Sequence, residues 1–566
     1  MSLTKVSYSM IQGAVVNVLD YGANADGTND SSAINAAIAS IAATGGAVYF
    51  PSGIYGISSQ ILVDSAKPIT LFGDGASSQI RIIGNITGSM IKYAASGGGG
   101  GRIRDLFLYD ATTSSGLPGS YTCTAGLHLE GFTQSLVQNV TITGINCTAT
   151  TGGAILGVGC VQSVIANCIL QYCNEGINLA SASTGIDSCQ ALNITDCHIE
   201  DIVGKSIYVN ANSNQVKIIG CGFETGVVGG GYAIHVVNGA AGTAIEGCHF
   251  NRAPDHVIFL GSTTRVVGNY FQSLPDPVDT IYVAGDSNVI TGNTFNGDST
   301  TRSIYLFSGN NNVIDGNIFR LSGGVQFGLS GQTVKDTVVS NNSFLDLYAD
   351  NTQGYWVVDG PNSTGTVIEG NTFRDSTNGP VKTQGFVLVN GAQTVVTGNA
   401  FVLRQASYDI YCQSSDALIN GNTGVDAYAD ATGSKASWAN NYFSVTGEPF
   451  YSMAGPALGT GWTVSATSTV NAYAHRSGDH VRLSINITPT GGGTIAATSS
   501  ATITGIPTAW QPSANPFVTG SFYAPGTGAS GLCYIVGGTV YFSTALSATS
   551  AAMYVVLDYY KGPGGV

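Results

Sequence analysis

A seven-residue pattern returns through the middle of the chain: two β-branched residues, a polar one, Gly, Asn, a variable residue and Phe. It reads VITGNTF at 289–295, VIDGNIF at 313–319, VIEGNTF at 367–373 and VVTGNAF at 395–401. Weaker copies extend it in both directions. Its centre is then Cys168, Cys197, Cys221 and Cys248, followed by an Asn in each further copy from Asn269 to Asn441. Eleven intervals cover 273 residues, roughly 25 apiece, a period found in solenoids.

Each column has a physical reason. The residue before the centre is Gly, Asn or Asp in every copy, from Asn167 to Asn440. These three tolerate a left-handed backbone, so the chain turns a corner there. Ile or Val sits three residues before the centre, and from Phe223 to Phe401 a Phe sits two after it. Both are inward positions, on two strands flanking a bend. Stacked Asn side chains hydrogen-bond along the axis, and stacked Cys fill the same slot as small hydrophobes. No ten-residue stretch within the repeats has a 3.6-residue period, which excludes a helical repeat. The expected fold is all-β: a right-handed parallel β-helix of about a dozen coils, spanning 61–450.

The ends read differently. Across 15–60, Asp30 or Ser31 is placed to cap a helix bearing Ile34, Ile38 and Ile41 on one face, with Gly45 and Gly46 to stop it. A first coil exposes its core, so an amphipathic cap is expected there. After 455 the repeat gives way to strands punctuated by Pro507, Pro512, Pro516 and Pro525, which predicts a β-sandwich over 455–566.

Composition narrows function. Only 10% of residues are charged, against about 25% in ordinary globular proteins, and the formal charge is −14. An acidic surface repels phosphate backbones, so nucleic acid is not an expected partner. No stretch has the length and apolarity of a membrane span or the pattern of a signal peptide, so membrane insertion is not expected. Nine of the eleven Cys lie between Cys123 and Cys248 without a CxxC pair. They read as buried free thiols formed in a reducing compartment, with no metal or cofactor implied.

DYGA at 20–23, DGTND at 26–30 and GGAVYFPSGIY at 45–55 form a second kind of signal. This run resembles the N-terminal signature of the pectate-lyase-like β-helix superfamily. With the ladder and the separate C-terminal part, the chain resembles phage tailspikes and capsule depolymerases, over roughly residues 1–450. Residues 1–14 resemble the neck preceding the β-helix in such proteins. The resemblance implies a homotrimer on a virion, docked to other phage tail proteins, assembled in the host cytoplasm and acting on polysaccharide at the bacterial surface. It implies that the C-terminal domain assists trimer assembly or binds sugar.

Signature motifs of polygalacturonases and classical pectate lyases are absent, as are Walker and GxSxG sequences. The repeat offers candidates instead. Positions one and three after the centre point outward. The third-position column runs Gln171, Glu200, Glu224, Asn251, Gln272, Asn296, Arg320, with His198, His249 and Tyr270 in the first-position column beside it. Adjacent coils bring equivalent carbons to about 4.8 Å. Carboxylates about 5–5.5 Å apart suit a retaining glycosidase, and wider pairs an inverting one. Such a pair is expected to raise one carboxyl pKa. Glu200 and Glu224 are the expected acid and nucleophile or base, with Asp201 and Asp255 as substitutes; an exposed, solvated pair is the plain alternative. His198, His249, Arg252, Tyr270, Gln272 and Trp356 are the expected substrate-binding residues, Trp356 with Tyr355 as a sugar-stacking platform. Asp276, Asp279, Asp346, Asp350 and Asp359 compete as carboxylates. His249, Arg252, His256 and Tyr270 fit β-elimination instead, with Arg holding a uronate. Hydrolytic depolymerase, lyase and non-catalytic adhesin all remain open.

Overall fold

The computed structural model describes residues 15–439 apart from short stretches, the longer being 181–188, 225–230, 273–278, 348–353, 376–384 and 431–436, and a series of strands from Tyr451 onward. The proposed neck, Asn440 and Asn441 lie outside the described residues. Two compact units divide the chain. One runs to Val338 and includes 342–352; the other holds 339–341 and 353–566.

The first unit is a parallel β-solenoid whose coils each carry three short strands. Asn193–Thr195, His198–Glu200 and Ile207–Val209 pair with Lys217–Ile219, Gly222–Glu224 and Ile234–Val236 of the next coil. Three faces result, called first, second and third in that order. Because pairing matches equivalent residues, each sequence column becomes a stack along the axis.

The interior follows. Phe223, Phe250, Phe271, Phe295, Phe319 and Phe344 stack with ring centroids 4.7–4.8 Å apart. Asn269, Asn293 and Asn317 each donate their side-chain amide to the Oδ1 of the next Asn in the column, at 2.9–3.0 Å. They also donate to a carbonyl one coil back, Ile245, Val266 and Ile290 in turn. Every polar atom of the ladder is thereby satisfied, which is what permits its burial. The Cys column hands over directly, since the Cys248 backbone N–H donates to Asn269 Oδ1 at 2.8 Å. All eleven Cys are free and buried.

The corner between first and second faces is left-handed in each coil, from Asn167 (φ 52°) and Asp196 (φ 52°) to Gly292 (φ 65°) and Gly316 (φ 62°). Around Gly316 there is room: an added Cβ would have only Thr291 Oγ1 as a neighbour, 4.0 Å away. At Gly309 (φ 123°) it would strike the Gly285 carbonyl oxygen at 2.1 Å. Gly316→Asn is therefore expected to leave the unfolding midpoint nearly unchanged, and Gly316→Val to cost about 1–2 kcal/mol of backbone strain. Gly309→Ala, strained and obstructed at once, is expected to cost more. Chemical denaturation of the three variants ranks them. A second left-handed corner, at Gln162, Ala191, Gln215, Thr263, Ser287 and Asn311, went unseen because its residue types vary.

The helix spans Ser31–Ala39 and buries Ile34, Ala37 and Ile38. Asp30 occupies the N-cap without capping through its side chain; its carboxylate accepts from the Asn24 and Ala25 backbone N–H groups instead. The helix ends at Ala39, short of Gly45.

The second unit carries the same ladder at Asn371, Asn399 and Asn422, with side-chain amides donating along the column at 2.9 Å. Phe373 and Phe401 stack at 5.0 Å. Its later part is antiparallel: Ser468–Ser477 pairs with His480–Pro489, which pairs with Met553–Tyr560. No helix among the described residues is long and apolar enough to cross a membrane.

Candidate functional site

The second face presents the polar stripe. Strand pairing sets Gln171, Glu200, Glu224, Asn251, Gln272, Asn296 and Arg320 opposite one another in successive coils. Ile199 and Phe223 point inward beside them and are buried, so Glu200 and Glu224 project outward by strand alternation. The first-position column sets His198 against Gly222, then His249 against Tyr270.

Each carboxylate is bound by an amide from the coil on its far side. Gln171 Nε2 donates to Glu200 Oε2 at 2.7 Å, and Asn251 Nδ2 donates to Glu224 Oε1 at 3.4 Å. His198 Nε2 lies 3.5 Å from Glu200 Oε2. The His249 and Tyr270 rings are 5.5 Å apart, and Asn296 Nδ2 donates to the Tyr270 hydroxyl at 3.0 Å. The stripe thus holds two half-exposed glutamates in adjacent coils, each carboxylate drawn toward its outer neighbour, with imidazole, phenol and amide groups along the same line. Asp201 follows Glu200 at a corner with φ 51°. Gln272 stands in the stripe next to Asn296.

Other expected residues fall elsewhere. Arg252, Asp255, Asp276 and Asp350 lie outside the described residues. Trp356 is a correction: it is fully buried against Phe386 and Phe373, at 4.4 and 6.5 Å, and offers no face to a sugar. All five residues of its strand, Tyr355–Asp359, are buried, so alternation did not bring any of them out. Asp359 is buried too and accepts from Thr394 Oγ1, the Gly391 N–H and Ser363 Oγ.

Asp279 sits at the start of a third-face strand, buried, with Arg302 Nε on its Oδ1 at 2.5 Å. Burial pushes its pKa up to about 7, against the opposing pull of Arg302. Between an ordinary carboxyl value of 3.8 and about 7, the folded protein keeps a proton the unfolded chain has lost. Stability therefore falls as pH rises through that window. His235 works in the opposite direction. Burial, then Lys205, lowers its pKa from 6.5 to about 4, so stability rises with pH across that interval. Asp279→Asn is expected to remove a downward slope that is clearest near neutrality, where His235 no longer titrates. Unfolding midpoints taken from about pH 4 to 8 test it; parallel curves for variant and parent would refute it.

The sequence reading missed a column on the third face. Tyr208, His235, Phe259, Tyr282 and Tyr305 are opposite one another in consecutive coils. Its signal was present: IYV at 207, IHV at 234, IFL at 258, IYV at 281 and IYL at 304, an aromatic between two aliphatics once per coil.

Residues 15–230 match the family model described as rhamnogalacturonase A/epimerase, pectate lyase-like, and residues 255–424 match that of the right-handed β-helix region. The chain carries a pectate-lyase-like right-handed β-helix. No curated protein matches its sequence. Among solved structures, the β-helix is similar to the tailspike of E. coli bacteriophage HK620, solved with a hexasaccharide. Identity is 12%, coverage 96% of this chain and 93% of that one, and the TM-score 0.46. It is similar to PfbA, a surface adhesin of Streptococcus pneumoniae, at 16% identity, covering 70% and 93%, with TM-score 0.41. The A-module of the Azotobacter vinelandii mannuronan C-5 epimerase AlgE6 gives 14%, 71% and 98%, with TM-score 0.38. A shared fold does not fix a reaction, so the chemistry has to come from the site.

Proposed function

We propose that this β-helix binds and cleaves a bacterial surface polysaccharide, capsule or O-antigen, as a phage tailspike depolymerase acting by glycosidic hydrolysis. The observation that carries the reading is the register of Glu200 against Glu224 within a continuous outward stripe. Equivalent backbone positions in adjacent coils lie about 4.8 Å apart, which permits the short carboxylate separation of a retaining pair. Glu200, held by Gln171 and near His198, serves as nucleophile, and Glu224 as acid and then base. Asp201 and Asp255 stand in reserve as carboxylates. His249, Tyr270 and Gln272 line the path of the chain, and Arg252 is proposed as a further substrate-binding residue.

The helix Ser31–Ala39 caps the first coil in this reading, 61–450 forms the β-helix, and 455–566 is a sandwich serving trimerisation or sugar binding. The protein works as a homotrimer on the virion, attached to other tail proteins.

The adjacency of His249 and Tyr270 favours a second reading, β-elimination on a uronate, with one of them as base. Purified protein incubated with capsular polysaccharides, followed at once for reducing ends and ultraviolet absorbance, separates the cases. Reducing ends alone support hydrolysis. Absorbance of an unsaturated uronate moves the site to His249 and Tyr270. Neither signal on a glycan that binds makes the protein an adhesin.

A further inference from the structure

We propose that Asn238 is a self-modifying site, at which the Gly239 nitrogen displaces the Asn238 side-chain amide and leaves aspartate or isoaspartate. This chemistry is independent of the glycan reading above and uses none of its residues.

The chain holds five Asn–Gly pairs, beginning at Asn238, Asn296, Asn378, Asn390 and Asn420. Glycine after asparagine is the reactive arrangement, because without a Cβ its nitrogen can swing onto the asparagine side chain. Tertiary structure then decides which pair reacts. Asn296 ends the strand Thr294–Asn296 and donates its amide to the Tyr270 hydroxyl at 3.0 Å, while the Gly297 N–H donates to the Arg320 carbonyl at 3.4 Å. Asn390 precedes a buried Gly391 whose N–H donates to Asp359 Oδ2 at 3.1 Å. Asn420 ends a strand paired in register with Val395–Thr397, and its carbonyl accepts from the Gly398 N–H at 3.3 Å. A paired strand or a bonded glycine N–H holds each of these three in place. Asn378 lies outside the described residues.

Asn238 differs in each respect. It and Gly239 are exposed, in a turn closed by the Ala240 N–H on the Val237 carbonyl at 3.1 Å. Neither the Gly239 N–H nor the Asn238 side-chain nitrogen has a hydrogen-bond partner among the described residues. A Cβ built on Gly239 would meet only Ala211 Cβ, at 3.7 Å, so nothing crowds the turn. Exposed turns with few contacts open locally at little cost, which supplies the backbone rotation that attack requires. Ser262 adds an activating contact. Its hydroxyl donates to Asn238 Oδ1 at 3.0 Å, and its oxygen accepts from the Asp286 N–H at 3.0 Å, which directs the hydroxyl proton toward Asn238. Negative charge develops on Oδ1 during attack, so this donor stands where it stabilises the transition state.

Atoms and charge balance with water alone. The Gly239 nitrogen gives its proton to hydroxide and bonds to Asn238 Cγ. The side-chain nitrogen leaves as ammonia, taking a proton back from water, and a cyclic imide remains. Water opens the ring at either carbonyl, giving aspartate or isoaspartate and adding a negative charge to a chain already at −14. The isoaspartyl product carries an extra main-chain carbon ahead of the Gly239 carbonyl, which accepts from the Asn212 N–H of the preceding coil at 3.1 Å.

Full-length protein held in mildly alkaline buffer, folded and in urea, tests this when its peptides are followed over time by mass spectrometry with fragmentation that separates isoaspartate. Expected in the folded protein is conversion of Asn238 about tenfold or more ahead of Asn296, Asn390 and Asn420, the difference disappearing in urea. Ser262→Ala should slow Asn238 by about three- to tenfold in the folded protein, the worth of one hydrogen bond, and leave the rate in urea unchanged. An intact Asn238 in the folded protein, or conversion of Asn296, Asn390 or Asn420 at the same rate, overturns the site. An unchanged folded rate in Ser262→Ala overturns the activating contact.

Discussion

Glu224→Gln is expected to lower turnover of the cleaved polysaccharide by about 10²–10⁴-fold, the usual worth of a positioned acid or base, and Glu200→Gln, which removes the nucleophile, by at least as much. Gln is isosteric with Glu, and both side chains are partly exposed, so the fold should be unaffected. Glu200 accepts from Gln171 and Glu224 from Asn251. Gln can retain one such contact through its carbonyl oxygen, so glycan affinity should survive while turnover does not. Asp201→Asn serves as the control: its carboxylate leaves a corner one residue beyond the stripe, and the variant should stay within about threefold of the parent. Initial rates of reducing-end release, with binding measured on the same preparations, decide the matter. Full activity in either Gln variant would remove the paired-carboxylate mechanism. A loss of binding equal to the loss of rate would reassign the stripe to recognition.

Asn317→Leu is expected to destabilise the first unit by about 3–5 kcal/mol. Leu has a similar volume, so the loss is polar rather than steric. Asn317 is fully buried. Its Oδ1 accepts from the Asn293 backbone N–H and side-chain amide, both at 2.9 Å. Its own amide donates to Asn342 Oδ1 at 3.0 Å and to the Ile290 carbonyl at 2.9 Å. Removing it orphans two buried donors, the Asn293 backbone N–H and one Asn293 amide N–H, each costing about 1–3 kcal/mol before relaxation. It also takes one bond from the Ile290 carbonyl and one from Asn342 Oδ1, which keeps the residue-317 backbone N–H at 2.9 Å. Asn317→Asp should be worse, because it sets a buried carboxylate against the two oxygens that previously accepted hydrogen bonds. Cys221→Ala, where the thiol donates only weakly to the Ile194 and Ile219 carbonyls at 3.7 and 3.5 Å, should cost far less. Denaturant midpoints of the three variants give the order. Equal midpoints for Asn317→Leu and Cys221→Ala would show that the ladder fills space rather than bonding.

The solenoid was legible because one coil repeats in sequence. A left-handed corner restricts residues 167, 196 and 220 to Asn, Asp and Gly, and the interior slot admits only a stacking amide or a small thiol. Both constraints act locally, so they leave columns that can be read without coordinates. The stripe was legible for the same reason, since register within a coil-by-coil ladder follows from matching the columns. Asp279 and Trp356 were harder. They stand near turns and on third-face strands, where loop lengths between coils vary and the column is lost.

Sequence alone therefore determined the parallel coil, the Phe, Asn and Cys stacks and the outward placement of Glu200 and Glu224, because each depends on backbone geometry repeated at short range. Tertiary structure decided which side chains leave the core. Trp356 lies in a strand buried on both sides, where alternation carries no information. Asp279 meets Arg302 only because two coils pair in register. The aromatic column of the third face forms only when five coils are stacked, since proximity across coils is a property of the assembled solenoid and not of any one repeat.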